Sequence, residues 1–195
     1  MKYNPDKYHR RSLRLPSYDY TQAGAYFVTV CTHNRRCTFG NVIDGEMHLN
    51  RYGQAAHKCW KALPDHFANV QLDEFIVMPN HVHRIVHIVG CRGTACRAPT
   101  AGTGQTSSVE RHIPSVEQFG HPVPGSLPTI IRSSKSATTK HINGIRGTPG
   151  QPLWQRNYYE HIIRDERELD DIRQYIVDNP AKWHEDVENP QNFPV

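Results

Sequence analysis

The chain has 195 residues, a net charge of +4 and a mean hydropathy of −0.68. That length suits one domain with a real core and room for an insertion. The charge is too mixed for wholesale disorder, and no apolar run approaches the ~20 residues of a membrane span.

The basic N-terminus has no apolar stretch behind it, so no secretory signal is read. Five cysteines (Cys31, Cys37, Cys59, Cys91 and Cys96) stand at irregular spacings. They argue for a reducing cytoplasm rather than a disulfide framework. Cys91 and Cys96, with His112 or His121, match no standard zinc spacing. Residues 1–14 carry Lys2, Lys7, Arg10, Arg11 and Arg14 against Asp6. Residues 127–164 carry Arg132, Lys135, Lys140, Arg146, Arg156 and Arg164 against Glu160. Two basic zones suit a polyanionic partner, and equally a solvated surface.

In chain order, residues 25–33 are rich in β-branched and aromatic side chains and predict a strand. Asp44-Gly45 within 41–49 predicts a hairpin turn. Tyr52, Ala55, Ala56, Cys59, Trp60 and Leu63 recur at helical spacing, and Pro64 ends that helix. Residues 71–78 and 81–89 predict two strands across the break Pro79-Asn80, an antiparallel pair at the centre of a sheet. In 91–126, Gly, Pro, Ser and Thr make up 17 of 36 residues, which predicts a mobile loop insertion. Ser126 and Pro128 open the next helix. Its core face is expected to carry Ile130, Ser134, Ala137, Thr138, His141 and Ile145, and its basic face Arg132, Lys135, Ser136, Thr139 and Lys140. An extended segment within 153–163 precedes a last helix from about Asp165 to Asn179, stopped by Pro180. The order predicts an α+β fold of ferredoxin-like type with an added C-terminal helix.

Two constellations could carry chemistry. His81 and His83 alternate in a strand, so their imidazoles share one face as a pair of potential metal ligands. Tyr175 and Asn179 stand at i and i+4 on one helix surface. The first offers a nucleophilic phenol and the second a carbonyl oxygen for a hard cation. On spacing alone, Tyr175 fits equally well as packing beside Leu169, Ile172 and Ile176, with Asn179 a polar helix end.

The stretch IVMPNHVH at 76–83 resembles the His-hydrophobe-His motif of the HUH endonuclease superfamily. WQRNYYEHIIRDERELDDIRQYIVDNPAKW at 154–183 resembles the C-terminal signature of the REP-associated tyrosine transposases. So do residues 11–36 and 126–150, and the likeness spans most of the chain. The resemblance implies His81, His83 and Asn179 as ligands of Mg²⁺ or Mn²⁺ and Tyr175 as the nucleophile. It implies cleavage of single-stranded or hairpin DNA through a 5′-phosphotyrosine link, with strand transfer to another 3′-OH. The metal would bind a non-bridging oxygen of the scissile phosphate. Arg10, Arg11, Arg14, Arg132, Lys135, Lys140 and Arg156 are then the expected phosphate contacts. Tyr158 and Tyr159 would be packing or DNA-contacting residues. Arg84 departs from the family pattern and needs a partner on the face opposite the His pair. The branch favours a monomer over a homodimer. The alternatives are a domesticated hairpin-binding protein without cleavage activity, a zinc hydrolase, and an α+β domain with coincidental histidines.

Overall fold

A computed structural model describes residues 15, 18–90 and 123–192. Arg10, Arg11 and Arg14, the N-terminal arm up to 14, and residues 91–122 of the expected loop lie outside the described residues.

Strand β1 (Gly24–Cys31) is followed by a hairpin of β2 (Gly40–Ile43) and β3 (Glu46–Leu49). Its turn residues Asp44 and Gly45 both have positive φ, 52° and 79°, as the tightest hairpin turns require. Helix α1 (Arg51–Lys61) starts at Asn50, whose side chain accepts from the Tyr52 and Gly53 amides. Strands β4 (Val70–Val77) and β5 (His81–Ile88) flank the Pro79-Asn80 turn. Helix α2 (Leu127–Arg146) is capped by Ser126, and Gly147 ends it in the left-handed conformation. Strand β6 (Tyr159–Ile163) and helix α3 (Glu166–Asp178) complete the chain order. The Asp165 side chain accepts from the Glu168 amide at the start of α3.

The main sheet runs β4-β5-β1-β6 with every neighbouring pair antiparallel. With α1 after β1 and α2 after β5, this is the ferredoxin-like βαββαβ topology. It corrects one expectation: β5 is central but β4 is an edge strand, because β1 returns on the far side of β5. A register shift between Leu72 and Phe75 bends β4. Such irregularities are common on sheet edges.

Strand alternation gives the sheet two different faces. Tyr26, Val28 and Val30 of β1 and Val86 and Ile88 of β5 pack beneath Trp60 of α1 and Leu127, Ile130 and Ile131 of α2. On the other face, Phe27, Ile85 and Ile163 pack against Leu169 and Ile176 of α3. His81 and His83 share the parity of Ile85, so they lie on the α3 face.

The buried face of α2 is Leu127, Ile130, Ile131, Ser134, Thr138 and Ile142. Ala137, His141 and Ile145 are exposed, contrary to expectation. Leu127, Ile131 and Ile142 anchor the buried stripe, which turns it about one position from the expected face.

Arg84 finds its surroundings under these helices. It donates to Ser134 Oγ at 3.1 Å, and its guanidinium lies 4.5 Å from the Trp60 ring centroid. Val28 of β1 pairs with Arg84 on one side and Glu160 on the other, so opposite charges flank it on one sheet face. Burial lowers the Arg84 pKa to about 9, which leaves it charged at neutral pH.

Candidate metal and nucleophile site

The α3 face of β5 brings the histidines together as the strand period requires. Their ring centroids are 4.4 Å apart, and both side chains are buried. The orientation of His81 follows from its neighbour. Asn80 Nδ2 donates to the carbonyls of Glu188 at 2.6 Å and Arg35 at 3.2 Å. Asn80 Oδ1 is therefore an acceptor, and His81 Nδ1 donates to it at 2.9 Å. His81 Nε2 is left as a bare lone pair. His83 Nδ1 meets Thr29 Oγ1 at 2.8 Å, which leaves its Nε2 facing the site. Second contacts of this kind orient metal-bound imidazoles. Burial pushes the His81 pKa down to about 3 and that of His83 well below its ordinary value. Both are neutral at pH 7, the form that binds metal.

Helix α3 supplies Tyr175 and its cap supplies Asn179. Tyr175 Oη lies 3.4 Å from His83 Nε2, and the ring packs edge-on against Phe27. The tyrosine remains 44% exposed while its neighbour Ile176 is 1% exposed. That difference separates Tyr175 from the packing stripe. Asn179 is buried beside both His81 and Tyr175.

A third contributor was not anticipated. The chain beyond α3 folds back over the histidines through a 3-10 turn, Trp183–Glu185, whose Trp183 ring is 5.9 Å from His81. Asp186 follows. Its Oδ1 accepts from the Glu188 amide at 2.6 Å, and its Oδ2 points at His81 Nε2 at 3.7 Å. His81, His83 and Asp186 each offer a ligand atom, all within 4.8 Å of one another. The Asp-x-Glu turn hinted at an ordered carboxylate, but only the fold-back brings it to the histidines.

The donor set fits a divalent cation. His81 Nε2, Asn179 Oδ1 and Asp186 Oδ2 are buried and have no hydrogen-bond partner. Buried polar atoms are nearly always satisfied, so three at one point need an explanation. A neutral imidazole lone pair facing a carboxylate oxygen is repulsive, and a cation between them reverses the sign. Nitrogen and oxygen donors of this kind suit Mg²⁺, Mn²⁺ or Zn²⁺.

The expected DNA contacts are distributed differently. A groove of about 1020 Å³ runs between α2 and residues 147–158, lined by Arg132, Lys140 and Arg156 among others. Lys135 also lines it but is engaged. Its Nζ donates to the carbonyls of Gln155 at 2.7 Å and Arg156 at 3.1 Å. It pins the far wall of the groove, and burial and the nearby Arg84 lower its pKa to about 8.

The chain has relatives. No family model matches the chain. A Haemophilus influenzae protein of uncharacterized function is 37% identical over 185 residues, covering 95% of this chain and 96% of that one. A second Haemophilus influenzae protein, named "Putative REP-associated tyrosine transposase", is 20% identical over 90% of this chain and 80% of its own length. The solved structure of a REP-associated tyrosine transposase bound to a REP hairpin superimposes with a TM-score of 0.53 at 19% identity, over 87% of this chain and 73% of that one. The chain belongs to the family of the first Haemophilus protein and resembles the REP-associated tyrosine transposases. No helix among the described residues is long and apolar enough to cross a membrane.

Proposed function

We propose that the chain is a metal-dependent single-strand DNA endonuclease and strand transferase that acts on hairpin or repeat-associated DNA. Tyr175 is the nucleophile, and His81, His83 and Asp186, joined by Asn179 Oδ1, hold Mg²⁺ or Mn²⁺. The observation that carries the reading is a phenol 3.4 Å from His83 Nε2, beside a cluster of buried donors without partners. The similarity to a REP-associated tyrosine transposase that binds a REP hairpin supports the choice of substrate.

The bound cation would neutralise phosphate charge and fix it for in-line attack. Tyr175 Oη forms a bond to phosphorus as the bond to O3′ breaks. O3′ leaves as a hydroxyl, and the 5′ phosphate stays on the tyrosine. The diester link lets a second 3′-OH reverse the step without ATP. Without the cation, burial and the negative charge of Asp186 hold the Tyr175 pKa above its ordinary value of 10.0. The phenol therefore enters protonated and must lose its proton during attack. Arg132, Lys140 and Arg156 contact phosphates from the groove, as Arg10, Arg11 and Arg14 would from the N-terminal arm. The chain is expected to act as a monomer in the cytoplasm.

His83→Ala is expected to abolish cleavage of a hairpin oligonucleotide in Mn²⁺ while keeping its binding within a few-fold. Undiminished cleavage would reject the metal assignment. Tight binding by the unmutated chain with no cleavage in any divalent cation would favour a hairpin-binding protein.

A further inference from the structure

Tyr159 is the first residue of β6, and its large ring is 50% exposed beside the histidine and tyrosine cluster. Thr29 pairs with His83 on one side and with Tyr159 on the other. The three side chains therefore stand in one row across the sheet, on the α3 face. Neighbouring strands are about 4.8 Å apart, so Tyr159 sits about 10 Å from His83 along that row. Phe27 joins them from the adjacent row. It stacks on His83 with centroids 5.4 Å apart and meets Tyr175 at 6.0 Å and Tyr159 at 6.2 Å, both edge-on.

Phe27 is 8% exposed and so supports the Tyr159 ring from below rather than offering a surface of its own. The ring is fixed by a neighbour on one side and open on the other. The chain path matters as well. Arg156 lines the basic groove on the α2 side, and three residues later Tyr159 opens the edge strand on the nucleophile side. A strand that passed from the groove to Tyr175 around this edge would meet the Tyr159 ring.

We infer that Tyr159 is the stacking platform for the base next to the phosphate that Tyr175 attacks, an assignment that rests on the function proposed above. Aromatic side chains bind single strands in this way with little regard to sequence, because every base has a π face. The platform fixes the strand while the phosphate is presented, so it governs binding more than turnover.

The test uses the full chain and a hairpin oligonucleotide with 2-aminopurine at each position of its single-stranded arm in turn. Quenching is expected at one position with the parent and with Tyr159→Phe, which keeps the ring. Tyr159→Ala is expected to lose that quenching and bind about tenfold more weakly. An abasic residue at the same position should cost the parent about tenfold and cost Tyr159→Ala nothing further. Tyr159→Leu, which keeps an apolar strand residue, guards against misfolding and should behave as Tyr159→Ala. Equal quenching in parent and both ringless variants, or quenching nowhere in the arm, would overturn the platform. Quenching without any covalent adduct would keep the platform and reject the nuclease. An adduct without Tyr159-dependent quenching would do the reverse.

Discussion

Asp186 Oδ2 and His81 Nε2 face each other at 3.7 Å, both buried and neither with a hydrogen-bond partner. The Asn80 side chain forces this arrangement by taking the only proton of the imidazole on its other side. The pair is unfavourable as it stands and favourable around a cation. It makes the C-terminal fold-back a part of the site rather than an appendage.

Metal affinity should therefore depend on a residue outside the HUH-like motif. Asp186→Asn is expected to weaken Mn²⁺ binding about tenfold or more by titration calorimetry, with the fold retained. Asn179→Ala should weaken it too. Unchanged affinity in Asp186→Asn, with a loss in Asn179→Ala, would return the third ligand to the helix cap.

Lys135 and Lys140 both line the groove beside α2 yet should respond differently. Lys135→Met removes a cation bonded to backbone carbonyls and should destabilise the chain by about 1–3 kcal/mol. It should leave the salt dependence of DNA binding nearly unchanged. Lys140→Met should change stability by less than about 0.5 kcal/mol and reduce the slope of log K against log salt by about 1. Urea unfolding and anisotropy at several salt concentrations separate the two. A salt slope that drops in Lys135→Met would restore it as a phosphate contact.

An ion pair ties the helix that carries Tyr175 to the edge strand β4. Arg173 of α3 forks onto both carboxylate oxygens of Asp73 on β4, at 2.6 and 2.9 Å, and His87 reaches the same group at 2.8 Å. The Arg173 guanidinium holds the Asp73 carboxyl well below its ordinary value of 3.8. A carboxyl with a depressed folded pKa contributes stability above its unfolded value and loses it as pH falls below that value. Asp73→Asn should cost about 1–2 kcal/mol at pH 7, discounted for the partly exposed Arg173, and less below about pH 4. Denaturant unfolding at both pH values checks the sign. A gap that widens on acidification would contradict it.

Much of the frame could be read from the residues alone. Alternation at His81-Val82-His83 placed both rings on one face, and Asp44-Gly45, Ser126 and Pro180 marked their turn, cap and stop. The Tyr175–Asn179 spacing put both side chains on one helix surface, but only the resemblance turned that surface toward the histidines. What failed to show has physical reasons. The edge position of β4 depends on where β1 inserts, which no local pattern encodes. Lys135 reads as a surface cation until the segment at 155–157 turns its carbonyls toward it. Asp186 lies seven residues past the helix cap, and its role exists only because the chain reverses over the histidines.

The central claim is that Tyr175 becomes covalently joined to DNA. The direct measurement is incubation of the chain with labelled hairpin DNA from its own genomic neighbourhood in Mg²⁺ or Mn²⁺, followed by a denaturing gel. The account predicts a labelled protein band that requires the metal and disappears in Tyr175→Phe. A band that persists in Tyr175→Phe, or cleaved DNA with no protein attached, would contradict it.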